Sequence, residues 1–333
     1  MVDMKTTFEH RSPTGVIAIL LAAIGVILFP FLFSDYIVHI GIMTLLFAHL
    51  GSSWNLIAGY GGIMSIGQAV FYGIGAYTSS ILLIQWSLSP WIGMIIGALI
   101  SALVALFIGY LCFHFKLKGW YFGLTTVAFG DLFLIMAINF FPGKAAGLYL
   151  PLAETGWSGF QFLEKKTYYF IILGFFCVCM LITRVMIRSR IGYYLRAIRE
   201  DEDVAESLGV YLMRYKLISF AISAFLTALG GTFYAQYMLF VDPPMVFSLD
   251  KTLEMIIRVL VGGMGTYWGP LVGSIILTPM GELFNLILGQ AAGLHLVFYG
   301  VLLVIFIIFL PYGLVGLVAR LKHQRSQVEQ KTV

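Results

Sequence analysis

Runs of about 20 apolar residues recur along the whole chain, and they leave few architectures open. A helix rises about 1.5 Å per residue and the hydrocarbon core is about 30 Å thick, so each run is long enough to cross a bilayer. The runs show no strand-like alternation, which argues against a β-barrel. The reading is a polytopic membrane protein with ten helical spans, at 16–34, 36–58, 62–84, 91–113, 120–141, 168–187, 217–238, 247–264, 267–289 and 292–318. The span 36–58 is the weakest. Its Gly51-Ser52-Ser53-Trp54-Asn55 stretch is polar enough for a broken or re-entrant helix. The first run lacks a small-residue cleavage site and is read as a span, not a signal peptide.

Lysine and arginine set the orientation. Ten spans put both termini on one side, together with the loops at 114–119 and 184–216. That side holds fifteen of the twenty basic residues, and the opposite side holds Lys144, Lys165, Lys166 and Lys251. Arg258 falls inside a span. Both termini and 184–216 are therefore expected in the cytoplasm. The net charge of +4 reflects these loops and implies no nucleic acid. Cys112, Cys177 and Cys179 lie in or beside apolar runs and read as small hydrophobes. His39, His49 and His295 have no metal-ligand spacing, so no metal or cofactor is expected.

Only 11% of the chain is charged, yet residues 196–216 carry nine charges in twenty-one positions. Five of the sixteen acids fall in 200–206. Asp201 or Ser189 suits a helix start, and acids there oppose the positive end of the helix dipole. Arg199 and Asp203 are four apart, the spacing of a helical ion pair. Val204, Ala205 and Leu208 form an apolar stripe, and Gly209 suits a left-handed stop. A short amphipathic helix over 201–208 is expected, lying across the cytoplasmic face. A loop that merely keeps to the inside needs arginines. It does not need five acids and a Leu-Gly ending, which suit a knob that fits a groove on a partner.

The stretch Asp203-Val204-Ala205, then Glu206-Ser207-Leu208, then Gly209 resembles the cytoplasmic coupling motif of bacterial ABC importer permeases: Glu-Ala-Ala, three residues, Gly. Two of the three leading positions differ. Four further stretches, "SSWNLIAGYGGIMSIGQAVFYGIGAY" (52–77), "GWYFGLTTVAFGDLFLIMAIN" (119–139), "RSRIGYYLRAIREDEDVAESLGV" (188–210) and "VGGMGTYWGPLVGS" (261–274), resemble the branched-chain amino acid permease family, most of all its M-type subunit. The resemblance runs from about residue 35 to 318.

It implies an all-α bundle akin to the second type of ABC importer permease. Residues 1–15 would be a cytoplasmic segment, 16–318 the permease domain with a coupling loop at 188–216, and 319–333 a cytoplasmic tail. It implies a bacterial inner-membrane subunit that pairs with a related permease, docks two ATPase subunits and receives substrate from a periplasmic binding protein. Arg199, Asp203, Val204, Ala205, Glu206, Leu208 and Gly209 would then form the ATPase-coupling element. The chain has no G-x-x-x-x-G-K-[ST] loop, since Gly143-Lys144 is followed by Ala145, so ATP belongs to another chain and this one is not an enzyme. Relatives commonly carry a "TGG-x-x-G" run after the fifth span. Here "FPGKAAGLYL" offers only Gly143 and Gly147, which leaves urea and short amides as alternative cargo.

Polar residues at membrane depth need a reason, because a charge there costs at least about 2.5 kcal/mol. Asp131, with Thr125, Thr126 and Asn139 nearby, either lines a substrate pathway or is a structural acid. Glu254 and Arg258 are spaced for an intrahelical pair, with substrate contact by Glu254 as the other reading. Asn55 and Gln68 flank "GYGGIMSIG", where unwound backbone could meet substrate or small residues could pack helices closely. A stand-alone secondary transporter would draw on Asp131 and the Glu254/Arg258 pair, but it gives no reason for the 200–209 pattern. No paired nucleophile and base recurs at helical spacing to support an intramembrane enzyme.

Overall fold

The computed structural model describes residues 24–151, 156–288, 300 and 313–316. The described chain is mostly helical: α1 (24–32), α2 (Asp35–Gly61), α3 (Ala69–Trp86), α4 (Pro90–His114), α5 (Trp120–Phe140), α6 (Lys165–Arg188), α7 (Arg190–Glu200), α8 (Glu202–Ser207), α9 (Leu212–Met238), α10 (Pro243–Phe247), α11 (Leu249–Gly262) and α12 (Gly269–Leu288). Two short strands, β1 (Leu148–Tyr149) and β2 (Phe240–Val241), pair antiparallel, with Leu148 opposite Val241.

Among the described residues, α2, α3, α4, α5, α6 and α9 are the six helices long and apolar enough to cross a membrane. They match six of the expected spans. The run at 247–264 behaves differently. Asp242 caps α10 by accepting from the Met245 N–H at 2.7 Å, and the chain is extended at Ser248. The next helix, α11, has only 14 residues, about 21 Å of helix against a core of about 30 Å. The expected start at residue 62 is also corrected. Gly62 turns left-handed at φ 70 and closes α2, and α3 begins only at Ala69. Of the expected span 16–34 only residues 24–34 are described, α1 among them, while 292–318 lies largely outside the described residues and 1–15 and 319–333 lie wholly outside them.

The polar stretch at 51–55 does not break its helix. Helix α2 runs unbroken through 27 residues at the centre of the fold, against α6, α9, α11 and α12. Being surrounded by protein, it can carry polar groups that find partners in its neighbours. Ser53 donates to the His49 carbonyl at 2.9 Å, and the Trp54 indole donates to the Ser65 carbonyl at 2.7 Å. A second nucleus forms where α3, α4 and α9 pack together through small residues. At Gly231 an added Cβ would lie 2.0 Å from the Tyr72 carbonyl oxygen, and at Gly75 it would lie 2.1 Å from that of Ala228.

The two faces of the bundle separate as expected. Lys118, in the α4–α5 loop, pairs with Glu202 and Asp203 of α8, so the 114–119 and 184–216 segments share one face. On the other, β1 meets β2, and Trp91 at the start of α4 donates to the Trp157 carbonyl at 2.7 Å.

Candidate functional site

The charged stretch folds into two helices set at an angle by a single residue. Asp201 is extended (φ −157, ψ 116), and its carboxylate accepts from the N–H groups of Asp203 at 2.9 Å and Val204 at 3.0 Å. That is an N-cap, and it starts α8 where the sequence suggested. The helix stops as expected too. Gly209 is left-handed at φ 84, its N–H bonds the Glu206 carbonyl, and the Val210 N–H bonds that of Ala205 at 3.1 Å. These are the two bonds of a Schellman motif.

The expected Arg199–Asp203 pair does not form. The break at Asp201 puts the two residues on different helices, so spacing along one helix no longer applies. Asp203 instead accepts from Lys118 at 2.8 Å, while Lys118 also lies 3.7 Å from Glu202. The hydrogen bond between them raises the Lys118 pKa and lowers that of Asp203. Glu202 is bound in turn by the buried Lys216 of α9. Lys118 and Lys216 were not singled out from the sequence. The signal available was a surplus of acids at 200–206 facing two lysines in segments assigned to the same side. Arg199 turns away from α8 altogether, its guanidinium donating to the Gly59 carbonyl in the last turn of α2.

The apolar stripe of α8 splits. Ala205 is buried, whereas Val204 is 54% and Leu208 77% exposed, with Tyr211 beside them at 77%. Glu206 is exposed on the same helix. The unit therefore presents an apolar knob outward while four charged side chains, Lys118, Glu202, Asp203 and Lys216, tie it to the bundle.

The membrane-depth candidates separate into two groups. Thr126 is buried and accepts from the Ile66 and Gly67 N–H groups at 3.0 and 3.2 Å, pinning the 62–68 loop to α5. Gln68 is fully buried, donating to Ser223 at 2.9 Å and Thr227 at 2.8 Å. Asn55 clamps the α11–α12 turn by accepting from the Gly265 N–H at 2.8 Å and donating to the Thr266 carbonyl at 2.9 Å. Glu254 lies 3.1 Å from Lys251 and 4.0 Å from Arg258, whose guanidinium sits 3.6 Å above the Phe47 ring. By contrast Asp131 and Asn139 are exposed, on a face of α5 shared with Leu124, Leu132 and Ile135. Thr125 lies on the same stripe and bonds its own helix at the Tyr121 carbonyl. Among the described residues no group of three or more His, Cys, Asp or Glu converges as a metal site.

A family model described as "Branched-chain amino acid transport system / permease component" matches residues 36–307. The high-affinity branched-chain amino acid transport system permease protein LivM of Salmonella typhimurium is 26% identical over 328 residues, covering 90% of this chain and 76% of the relative. LivM of Escherichia coli is likewise 26% identical, covering 94% of this chain and 78% of its own length. Among solved structures, a chain of PsaBC from Streptococcus pneumoniae in complex with Fab aligns over 92% of this chain and 99% of its own, at 16% identity and a TM-score of 0.47.

Proposed function

The chain belongs to the branched-chain amino acid transport system / permease component family, and on that premise we propose that it is the membrane-spanning subunit of an ABC importer for branched-chain or related amino acids. In this reading ATP is hydrolysed on separate ATPase subunits that dock beneath α7 and α8. A periplasmic binding protein delivers cargo to the opposite face, and a second, related permease completes the pathway. The α8 face is cytoplasmic, both termini lie on it, and the membrane is the bacterial inner membrane.

The observation that carries this reading is the α8 knob. Val204 of α8, Leu208 at its C-cap and Tyr211 just before α9 are exposed on a segment that ion pairs hold against the bundle. Leaving apolar side chains in water on an anchored element costs free energy unless a partner covers them. A groove on an ATPase subunit would convert that exposure into binding and let motion pass into the bundle.

The α5 face supports the pairing. A carboxylate turned toward hydrocarbon costs at least about 2.5 kcal/mol, so the stripe holding Thr125, Asp131 and Asn139 meets protein or water. We assign it to the pathway side, between the two permeases. Thr126, Asn55 and Gln68 are assigned to packing, and Glu254 to a structural charge cluster with Lys251 and Arg258.

Gentle affinity purification from native membranes tests the assembly. Co-elution of a second permease and of chains with Walker motifs is the expected result. If the chain elutes alone, the docking role of α8 fails, and proton- or sodium-driven uptake becomes the next assay.

A further inference from the structure

We infer that Arg199 is the positioning residue through which movement of the α7–α8 unit reaches the cytoplasmic end of α2 and, by way of the 62–68 loop, α5. The cause of that movement rests on the proposed function. The mechanical link rests on the contacts themselves.

Arg199 stands in the last turn of α7, two residues before the bend at Asp201. Its guanidinium donates to the Gly59 carbonyl. That oxygen lacks its regular helical donor, because the Ile63 N–H has gone to Ile57 instead. Helix α2 has no basic residue of its own in its last turn, so Arg199 also supplies the cation that suits the negative end of the helix dipole.

The backbone on both sides is shaped around this side chain. A Cβ at Gly62 would lie 3.0 Å from the Arg199 Cγ, and one at Gly265 would lie 2.8 Å from its Nη1. Both glycines have positive φ, at 70 and 76. Arg199 thus touches the end of α2 and the α11–α12 turn at once. Asn55 already ties those two together through Gly265 and Thr266.

From α2 the chain enters the 62–68 loop, whose backbone, with that of Ala69 at the start of α3, bonds to side chains of α2, α5 and α11. Thr126 of α5 accepts from Ile66 and Gly67, Thr252 of α11 accepts from Ala69 at 2.9 Å, and Trp54 holds Ser65. Directional bonds of this kind pass on a displacement that sliding apolar contacts would absorb. A tilt of α7–α8 therefore pulls the α2 terminus, the loop and the cytoplasmic end of α5 together. A cap that only stabilises α2 would have no need of the fit to Gly265 or of this chain of bonds.

Two measurements test the link. In the assembled importer, with leucine as the probe, Arg199→Ala is expected to lower the leucine imported per ATP hydrolysed by about tenfold, the order expected for losing one charge-assisted hydrogen bond. Arg199→Lys keeps the charge but loses the fork and is expected to lower the ratio by about threefold or more. An unchanged ratio in both variants overturns the inference. In the purified single chain, amide exchange at 62–68 and 263–268 is expected to rise in Arg199→Ala while 205–210 stays as in the wild type. Unchanged exchange at 62–68 overturns the link whatever the transport result. If the wild-type assembly moves no leucine or retains no ATPase, the proposed function fails, and the exchange measurement still decides the link. Should Arg199→Ala not fold, Arg199→Lys decides it by the same two readouts.

Discussion

Asp131 is the one carboxylate on a helix face that it shares with Thr125, Asn139 and exposed leucine, isoleucine and methionine. Its value depends on what faces it. On the pathway side, Asp131→Asn should reduce uptake markedly while leaving co-purification with partners and thermal stability as they are. A variant with full uptake would remove Asp131 from the pathway. If the face met lipid, Asp131→Leu would stabilise the chain by about 2 kcal/mol or more, which thermal unfolding in detergent would detect. The Lys118–Asp203 pair yields a second expectation. Asp203 has a depressed pKa, so its contribution is complete above the ordinary carboxylate pKa and is lost as pH falls through the depressed value. Lys118 has a raised pKa, so its contribution is complete below the ordinary lysine pKa and is lost as pH rises through the raised one. Docking of ATPase subunits should therefore be insensitive to this pair between about pH 5 and pH 9. Lys118→Ala should weaken docking throughout that window, as binding titrations at several pH values would show.

Helix α8 has six residues, too few to persist in water by itself. It exists because both ends are fixed, by the Asp201 cap and by the left-handed Gly209. Asp201→Ala should cost about 1 kcal/mol at this element. Gly209→Val forces a branched residue into a left-handed conformation and should cost about 1–2 kcal/mol, although nothing lies within 4 Å of the added Cβ. Both variants should still insert, and both should show faster protease nicking at 202–210 and weaker ATPase co-purification. Normal docking in Gly209→Val would make the shape of α8 irrelevant. This element was largely legible in the sequence, since Asp, an apolar stripe and Gly are local signals. The bend between α7 and α8 was not. It depends on α8 finding Lys118 and Lys216, which lie 85 and 14 residues from the acids that they bind.

At the scale of the molecule, the bundle depends on the close approach of α3 and α9. Gly75→Val and Gly231→Val would drive carbons into facing carbonyls and should destabilise the chain by about 1–3 kcal/mol or more. Gly174→Ala in α6, where nothing lies within 4 Å, should be neutral or slightly stabilising. The contrast between these variants in thermal unfolding checks the packing. Equal effects would mean that α3 and α9 are not held as close as Gly75 and Gly231 imply.

Composition and periodicity determined that this chain lives in a membrane, that its apolar runs are helices, and which loops share a face. Those conclusions rest on local quantities: hydrocarbon thickness, helical rise and the placement of lysine and arginine. Tertiary structure decided the rest. It kept α2 whole through Gly51–Asn55, because buried neighbours supply the bonds that lipid cannot. It shortened 247–264 to the 14 residues of α11, because the extended Ser248 and Gly263 set its limits, whereas apolar content alone suggested a full span. It also sent Arg199 to Gly59, 140 residues away, in place of the acid four residues along. Spacing along one helix says which residues can meet, and only the packed fold says which helix ends bring them together.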